Sequence, residues 1–551
     1  MPTGLLPVEV TSFFGPRAPL TGTGALRLAD AYQRLGRTSD ARDVAIEAWR
    51  TRIMPASEEA ALLAEYGGAL SRYHDARLEM LLWQGEAQAA EQMLPRVSPP
   101  RAALARARIA LLRGAQGVDG LIAAVPGALA DDPGLAHARF LWRIRRDRRD
   151  DAEALLLERT GSAEALGQPA AWANQRRSLA RRAMRRGDIA TAYRLASDHF
   201  LSPTDGYDYS DLEWLAGWLA LRFQGDPDRA IRHFERFRAS VETPISLGRA
   251  GYWLGRAHEA AGNARAAREA YGVGALYQTS FYGQLAALRA DLPVDGSLAA
   301  RGRVNWERAE VSAEPVVRAA ILFHYADEPG RVWQFLTHRA ERARGEGEFA
   351  TLAQIALDLD RIHVAVRIAK MAAREGHILP AAYYPVTELA GYSVEIPPEL
   401  AMAVARQETE LNPEAVSPAG ARGLMQLMPG TARDVASDLG LQFSRSRLTS
   451  DWRYNARLGT AYMAGLLQEF DYALPLAVAG YNAGPHRSDR WIAAYGDPRR
   501  ADVDVVDWIE TIPFRETRNY VQRVLEALHV YRLRLSGQAQ PIRLDRDLGL
   551  E

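Results

Sequence analysis

Residues 214–218 read WLAGW and precede a turn at Gly225, and residues 252–257 read YWLGRA and precede a turn at Gly262. On both sides of each turn, apolar residues recur with the three-and-four spacing of amphipathic helices. A glycine that follows a helix readily adopts the left-handed conformation that reverses the chain. The two stretches therefore predict two successive helical hairpins.

Turn signals of the same kind recur through the N-terminal half of the chain. Successive markers lie roughly 37 residues apart, within the range of helical-hairpin repeats. They fall at Gly114-Ala115, Asp150-Asp151, Gly187-Asp188, Gly225-Asp226 and Gly262-Asn263, with less regular ones at Gly36-Arg37 and Gly85-Glu86. A single hairpin cannot bury its apolar stripe, so neighbouring hairpins must stack. We expect a helical-hairpin superhelix over residues 1–295.

Four aromatic residues of these hairpins, Trp214, Trp218, Tyr252 and Trp253, allow two interpretations. Exposed aromatic faces would suit stacking against sugars, whereas aromatic residues at helical spacing usually fill an interior. The second interpretation is favoured, and we expect these side chains to be buried between repeats.

The composition is that of a globular chain without net charge. Of the 551 residues, 48% are hydrophobic and 25% are charged, and basic and acidic residues balance at 68 each. This balance argues against a nucleic-acid partner. Because cysteine is absent, disulfides, thiolate metal sites and cysteine nucleophiles are excluded.

No membrane segment is expected. No apolar run approaches the ~20 residues that a membrane-spanning helix needs. The first residues, MPTGLLP, lack the basic and apolar regions of a signal peptide, and a signal removed earlier would leave the same sequence.

A second helical stretch, residues 306–384, breaks the repeat period. Prolines then punctuate the chain up to Pro398, and residues 392–395 are predicted to form an extended link with a domain boundary near Tyr392. The predicted division is a superhelical domain at 1–295, a helical linker domain at 296–391, a C-terminal domain at 392–540 and a tail at 541–551.

A helix is predicted to run from Pro398 to about Thr409. Proline suits the first turn of a helix, and Glu399 beside it complements the helix dipole. Asn412-Pro413 marks the end, because a residue before proline is pushed out of the helical region.

Glu408 lies on the apolar stripe of this helix, four residues after Val404 and eight after Leu400. Burial of a carboxylate on such a face would raise its pKa, so that the group could act as a general acid near neutral pH. The helix alone also allows an ordinary surface glutamate that pairs with Arg406 or Arg422.

The loop after this helix carries residue types that suit a sugar groove. Gly423 would leave room for a ligand, Gln426 offers a donor and an acceptor, and Met428 supplies an adaptable apolar wall. Ser417 adds a hydroxyl. We expect Gly423 to begin a short apolar helix and Thr431 to cap the next helix.

Two helix boundaries further along present polar side chains. Residues 479–485, AGYNAGP, end a helix in a tight turn that carries the phenol of Tyr481 and the amide of Asn482. Pro513 then begins another helix with Glu516 in its first turn.

The segment 502–510 contains acidic residues at a spacing that suggests calcium. It lacks the glycine and the length of an EF-hand loop, and apolar residues interrupt it. We predict a solvated helix start, no metal and no cofactor.

Four ordered motifs resemble those of the soluble lytic transglycosylases. They are RQET at residues 406–409 with Asn412-Pro413, GLMQ at 423–426, YNAG at 481–484 and IPFRET at 512–517. The resemblance covers roughly residues 396–532 and extends more weakly to SFYGQL at 280–285, which is similar to the end of the family's superhelix. Thr409 departs from the serine usual in the family but keeps a hydroxyl.

The resemblance implies an all-α protein with a ring-like superhelix of helical hairpins, a helical linker domain and a C-terminal lysozyme-like domain. It implies cleavage of the β-1,4 bond between N-acetylmuramic acid (MurNAc) and N-acetylglucosamine (GlcNAc) in peptidoglycan, with formation of 1,6-anhydro-MurNAc. Glu408 would be the catalytic acid and then base. The residues implied to line the substrate site are Ser417, Gly423, Gln426, Met428, Tyr481, Asn482 and Glu516.

Several alternatives stay open from the sequence. Glu516 could orient Glu408, tune its pKa, bind sugar or pair with Arg515 or Arg518. A goose-type muramidase would hydrolyse the same bond with water, and a helical scaffold would bind glycan without cutting it. We expect a periplasmic monomer whose partners are glycan strands, with other cell-wall enzymes as possible partners of the helical body.

Overall fold

The computed structural model describes residues 4–392 and 395–550. No β-strand occurs in these ranges; the only bridges join Val416 to Arg422 and Arg422 to Leu427. The all-α prediction is therefore confirmed. Tyr392 ends a helix rather than lying in an extended link, and Ser393 and Val394 of that link are outside the described residues.

The chain divides into two compact units, Met1–Met184 with Ala190–Asp208, and Arg185–Ile189 with Tyr209–Glu551. The helices up to the start of the second unit are α1 (Pro7–Phe14), α2 (Gly22–Arg34), α3 (Thr38–Thr51), α4 (Ala56–Leu70), α5 (His74–Trp83), α6 (Ala87–Met93), α7 (Pro99–Leu112), α8 (Val118–Ala123), α9 (Pro133–Arg145), α10 (Arg149–Arg159), α11 (Ala163–Leu166), α12 (Pro169–Arg185) and α13 (Ile189–Ser197).

Short left-handed turns join successive helices of the first unit. Gly36, Gly85 and Gly114 all have positive φ, and the amide of the residue after each glycine donates to a carbonyl five residues earlier. This is the Schellman arrangement, which satisfies carbonyls at a helix end. The hairpin prediction is confirmed here, except that Asp150 lies in the first turn of α10 and the reversal occurs at Asp147, with φ 55°.

Alanine, leucine and one buried tryptophan form the interior at the N-terminal end of this unit. Trp49 is fully buried and lies under the guanidinium of Arg77, 4.2 Å from the ring centre. Arg77 also pairs with Glu59, so the cation is neutralised where it leaves water.

The helices of the second unit, which α14 enters from Tyr207, are α14 (Tyr207–Phe223), α15 (Pro227–Ala239), α16 (Pro244–Ala260), α17 (Ala264–Gly274), α18 (Phe281–Arg289), α19 (Glu310–Ala313), α20 (Pro315–Tyr325), α21 (Pro329–Ala340), α22 (Glu346–Asp358), α23 (Ile362–Arg374), α24 (Pro380–Tyr383), α25 (Leu389–Tyr392), α26 (Pro398–Thr409), α27 (Pro429–Asp438), α28 (Arg447–Ser450), α29 (Trp452–Glu469), α30 (Leu474–Ala483), α31 (Pro485–Tyr495), α32 (Val505–Thr511), α33 (Arg515–Ser536) and α34 (Leu544–Asp547).

The hairpin formed by α16 and α17 is closely packed. A Cβ atom at Gly255 would lie 2.3 Å from the ring of Tyr271, and one at Gly251 would lie 2.4 Å from Gly274, so only glycine fits at either position. The aromatic residues Trp214, Trp218, Tyr252 and Trp253 are at most 1% exposed and contact one another. The prediction that these residues pack between repeats is confirmed.

Helix α33 is the central element of the C-terminal region. Most of its 22 residues are buried, and it packs against α18, α26 and α30. The predicted tail also packs onto it, because Leu544 is fully buried and Asp547 accepts two hydrogen bonds from Arg532. Within the described parts of the chain, none of the helices combines the length and apolar character needed to cross a membrane.

Candidate functional site

Glu408 occupies the last turn of α26, whose predicted bounds are confirmed. Its side chain is half-buried and accepts a hydrogen bond from the hydroxyl of Tyr520 on α33, at 2.7 Å. Neighbouring Arg406 does not act as its counter-ion: the Arg406 guanidinium stacks on Tyr384 and donates to the carbonyl of Tyr383. The nearest cation on the same helix is therefore engaged elsewhere, and the contact that the structure gives the carboxyl is the Tyr520 hydroxyl.

These surroundings change the acidity of the group. Burial raises the pKa of the Glu408 carboxyl to about 7, because a poorly hydrated site disfavours the charged form. The negative charge of Glu516 adds to this rise in pKa, and the hydrogen bond from Tyr520 opposes it. Near neutral pH the carboxyl can therefore both give and accept a proton.

The motifs and helix patterns did not single out Tyr520 as a site residue. It is 3% exposed and lies 112 residues from Glu408 along the chain. A tyrosine on the buried face of a long helix looks like an ordinary core residue. Its position four residues after Glu516, on the same face of α33, is the one local signal that could have drawn attention to it.

The loop at Gly423 has a different conformation from the predicted one. Residues 423–426 form a turn and not a short helix, because Gly423 has φ 77° and Gln426 has φ 49°. The fully buried amide of Asn455 in α29 holds this turn, accepting from the Met425 amide at 2.8 Å and donating to the Arg422 carbonyl at 2.9 Å.

Gly423 is required by close contact as well as by its φ angle. A Cβ atom there would lie 1.9 Å from the carbonyl oxygen of Leu448. The predicted cap at Thr431 is also wrong: α27 begins two residues earlier, at Pro429, with Met428 in the N-cap position. Proline at the first helical position supplies the required φ without needing a hydrogen-bond partner for its nitrogen.

The other predicted residues of this loop are partly used to hold it together. Gln426 donates from its side chain to the carbonyls of Ala415 and Gly423, at 3.1 and 2.9 Å. Ser417 accepts the amide of Ala421 at 3.0 Å. Met428 is 45% exposed, so its thioether side chain remains open to a ligand.

Tyr481 joins this loop to α30. Its hydroxyl donates to the Met425 carbonyl at 2.8 Å, and its ring packs beside Tyr462. Burial raises the pKa of the Tyr481 phenol well above its ordinary value, and the charge of Glu408 adds to this effect. Tyr481 and Glu408 are therefore close enough to interact electrostatically.

Asn482 and Glu516 are connected to the start of α33. The Asn482 side-chain oxygen accepts from the hydroxyl of Thr517 at 2.6 Å, and Glu516 beside Thr517 is exposed in the first turn of α33. Arg518, one of the predicted partners of Glu516, donates to the Ile512 carbonyl and pairs with Glu510. The negative charge of Glu516 repels the charged form of Glu408 and so raises the pKa of the Glu408 carboxyl.

The acidic segment 502–510 is a helix start, as predicted; Asp502 is exposed, but the acids from Asp504 onward are engaged by other side chains. Asp504 caps α32 and pairs with Arg256, and Asp507 accepts from Trp218. Glu510 is fully buried and accepts from Arg249 and Tyr282 as well as from Gln522. These acids therefore bind the superhelical helices α14, α16 and α18.

No metal centre is formed by the part of the chain that the structure describes. There, no three or more His, Asp or Glu side chains come together in a group that could hold a metal ion. In the acidic segment, arginine side chains are the positively charged partners of Asp504 and Glu510.

Two family models match the C-terminal part of the chain. Residues 386–503 match the model described as "Transglycosylase SLT domain", and residues 511–540 match "Soluble lytic transglycosylase helical domain". The first match contains Glu408 and the Tyr481 turn, and the second contains Glu516 and Tyr520. Over residues 386–503 the C-terminal region is therefore similar to a transglycosylase SLT domain.

Curated proteins point to the same family. The chain is 34% identical over 195 residues to the soluble lytic murein transglycosylase of Escherichia coli K12. This aligned segment is 35% of this chain and 30% of that protein. The chain is 37% identical over 147 residues to a putative soluble lytic murein transglycosylase of Haemophilus influenzae, covering 27% and 24%. The aligned segment spans less than a third of these relatives. The chain is related to the soluble lytic transglycosylases, as its motifs predicted.

Solved structures extend the likeness in fold over nearly the whole chain. An inactive glutamate-to-glutamine mutant of lytic transglycosylase Slt from Pseudomonas aeruginosa has a TM-score of 0.69 at 23% identity, covering 94% of this chain and 82% of that one. The 70 kDa soluble lytic transglycosylase of Escherichia coli has a TM-score of 0.65 at 22% identity, covering 95% and 83%. At these identities the likeness shows the fold.

Proposed function

We propose that this protein is a lytic transglycosylase that cleaves the MurNAc–GlcNAc β-1,4 bond of peptidoglycan and forms 1,6-anhydro-MurNAc. The observation that carries the proposal is the Glu408 carboxyl, whose pKa is raised to about 7 at the end of α26 in a transglycosylase SLT domain. A carboxyl with this pKa can serve as acid and as base within one turnover.

In the first step, the protonated Glu408 gives its proton to the glycosidic oxygen. The bond between that oxygen and C1 of MurNAc breaks, and the GlcNAc side leaves with a new 4-hydroxyl. Positive charge develops at C1. The N-acetyl group of the substrate is suited to stabilise this charge, and Tyr481, which is electrostatically coupled to Glu408, lies near enough to support it.

In the second step, the Glu408 carboxylate takes the proton of the MurNAc 6-hydroxyl. That oxygen attacks C1 and closes the 1,6-anhydro ring, so no water is consumed and the acid is regenerated. Ordinary glycosidases use a second carboxylate to activate water or to bond to the sugar. Here Glu516 is assigned the role of keeping the pKa of Glu408 high through its negative charge.

The remaining predicted residues are proposed to position substrate. Met428 offers an exposed apolar side chain. Gly423 is proposed to act indirectly: its missing Cβ would meet the Leu448 carbonyl rather than a ligand, so glycine there lets the loop that carries Gln426 and Met428 fold. Ser417, Gln426 and Asn482 are proposed to shape the groove, since their side chains already brace its loops.

We also propose the domain division 1–295, 296–391, 392–540 and 541–551, with the final segment packed onto α33 rather than free. Peptidoglycan strands are the proposed partner and the periplasm the proposed location, because the related proteins are named murein transglycosylases. A monomeric state, and recruitment of other cell-wall enzymes by the helical body, are further parts of the proposal.

Mass spectrometry of the products released from purified peptidoglycan tests the reaction. We expect 1,6-anhydro-muropeptides from the wild type and none from Glu408→Gln, because an amide cannot deliver the proton. Glu414→Gln is the matched control: this glutamate is exposed just beyond the same helix and should be dispensable.

The rival functions give different products. Reducing MurNAc ends without anhydro forms would indicate a muramidase that uses water, and binding of peptidoglycan without any product would indicate a scaffold. Full lytic activity of Glu408→Gln would refute the assignment of Glu408.

A further inference from the structure

The backbone immediately after Glu408 adopts a conformation that few residues tolerate. Glu410 and Leu411 have φ values of 55° and 68°, so two successive non-glycine residues lie in the left-handed region. Side chains with a Cβ atom are disfavoured there, and such a turn persists only where its surroundings hold it. We refer to residues 409–411 as the Glu410 turn.

The Glu410 side chain is held from the preceding helical region. Lys370 of α23 donates to Glu410 Oε1 at 2.7 Å, and both side chains are largely buried, being 30% and 23% exposed. Arg367, one turn earlier on α23, approaches the same oxygen only to 3.7 Å and is 49% exposed. Lys370 is also the only lysine in a chain with 68 basic residues.

Backbone and hydroxyl contacts restrain the rest of this turn. The Thr409 hydroxyl donates to the carbonyls of Ala405 and Leu424, and the Glu410 amide donates to the Arg406 carbonyl at 3.0 Å. Among the ion pairs that the described residues form between α23 and this turn, the Lys370 pair at 2.7 Å is shorter than the Arg367 pair at 3.7 Å.

We propose that Lys370 is a positioning residue, which holds the Glu410 turn and thereby the last helical turn that carries the catalytic carboxyl. This inference rests on the proposed function. It also gives the linker domain a part in the reaction, because α23 acts through the Glu410 turn.

The proposed effect is geometric rather than electrostatic. The groups that alter the pKa of Glu408 besides burial are Tyr520 and Glu516, both of which lie on α33. Loss of Lys370 should therefore displace the carboxyl without changing the pH at which it titrates. A misplacement of about 1 Å can cost on the order of 100-fold in rate, while substrate binding away from that atom is preserved.

Three variants of the full chain test this inference. Lys370→Met keeps the length of the side chain and removes the charge, Lys370→Arg keeps the charge, and Arg367→Met removes a neighbouring charge as the matched control. For Lys370→Met we expect kcat to fall on the order of 10- to 100-fold, with KM and the alkaline limb of the pH profile unchanged. Lys370→Arg should restore most of kcat, and Arg367→Met should resemble the wild type.

Hydrogen exchange of a peptide that covers residues 405–416 gives a readout that does not require activity. We expect faster exchange there in Lys370→Met but not in Arg367→Met. If the wild type made no anhydro product, the proposed function would fail while hydrogen exchange still tested the contact. Unchanged kcat or unchanged exchange in Lys370→Met would overturn the positioning role, as would an equal loss of kcat in Arg367→Met.

Discussion

Replacing Tyr520 with phenylalanine removes one hydroxyl from the site while keeping the ring that packs in the core. In the wild type this hydroxyl donates to Glu408 Oε1 at 2.7 Å, which favours the charged form and lowers the pKa of the carboxyl. Its loss should therefore raise the pKa of Glu408 above the wild-type value of about 7. Because the acid must be protonated to act, the alkaline limb of the pH profile should move upward.

The size of this shift follows from the strength of the hydrogen bond. A hydrogen bond to a charged group contributes about 1.5–3 kcal/mol, and one pKa unit corresponds to about 1.4 kcal/mol. Since the hydroxyl also interacts with the protonated carboxyl, only part of this energy separates the two forms. We expect a rise of about one pKa unit, from about 7 to about 8.

The assay is the initial rate of muropeptide release from purified peptidoglycan, measured from about pH 5 to about pH 9. Relative to its own maximum, Tyr520→Phe should retain about ten times more activity than the wild type well above both pKa values. The maximal rate itself should fall, because the carboxyl loses a positioning contact.

Tyr462→Phe, which removes a hydroxyl near Tyr481 without touching Glu408, is the control. An alkaline limb that stayed in place or moved downward in Tyr520→Phe would refute this account of the acidity of Glu408.

Three other substitutions test parts of the same structure. Gly423→Ala should destabilise the C-terminal domain by about 3 kcal/mol or more, since φ is positive and the new methyl group would overlap the Leu448 carbonyl; an unchanged melting temperature would contradict the contact. Glu510→Gln should cost about 3 kcal/mol in urea unfolding, because a buried carboxylate that pairs with two arginines loses its charge, and a loss below about 1 kcal/mol would argue against a buried ion pair. Glu516→Gln should lower the pKa of Glu408 and move the alkaline limb of the rate profile to lower pH, and a shift to higher pH would show that Glu516 acts otherwise.

The acidic segment 502–510 connects the surroundings of Glu408 to helices α16 and α18. Glu510 of α32 accepts hydrogen bonds from Arg249 and Tyr282, and it also pairs with Arg518 of α33. Helix α33 carries both Glu516 and Tyr520. The last superhelical helices therefore help to position the groups that set the acidity of Glu408. Helices α16 and α18 are therefore joined to the C-terminal region by hydrogen bonds to the buried Glu510 carboxylate.

Local sequence patterns were sufficient for the helices and their turns. Glycine at a helix end, proline in a first turn and the three-and-four spacing of apolar residues depend only on neighbouring residues. They predicted the hairpins around Gly225 and Gly262, the bounds of α26 and the place of Glu408 on its apolar face. The four ordered motifs predicted a resemblance to the soluble lytic transglycosylases, and the match of residues 386–503 to the transglycosylase SLT domain agrees with it.

Tertiary structure alone decided how the site is assembled. Gly423 begins a turn rather than a helix because the buried amide of Asn455 holds that turn. Tyr520 reaches Glu408 across 112 residues, and Arg249 reaches Glu510 across 261. Such pairings depend on which helices pack together, and helical periodicity carries no information about partners that distant. The sequence by itself therefore determined the helices and the acid, whereas long-range packing determined the acidity of Glu408 and the contacts that hold it in position.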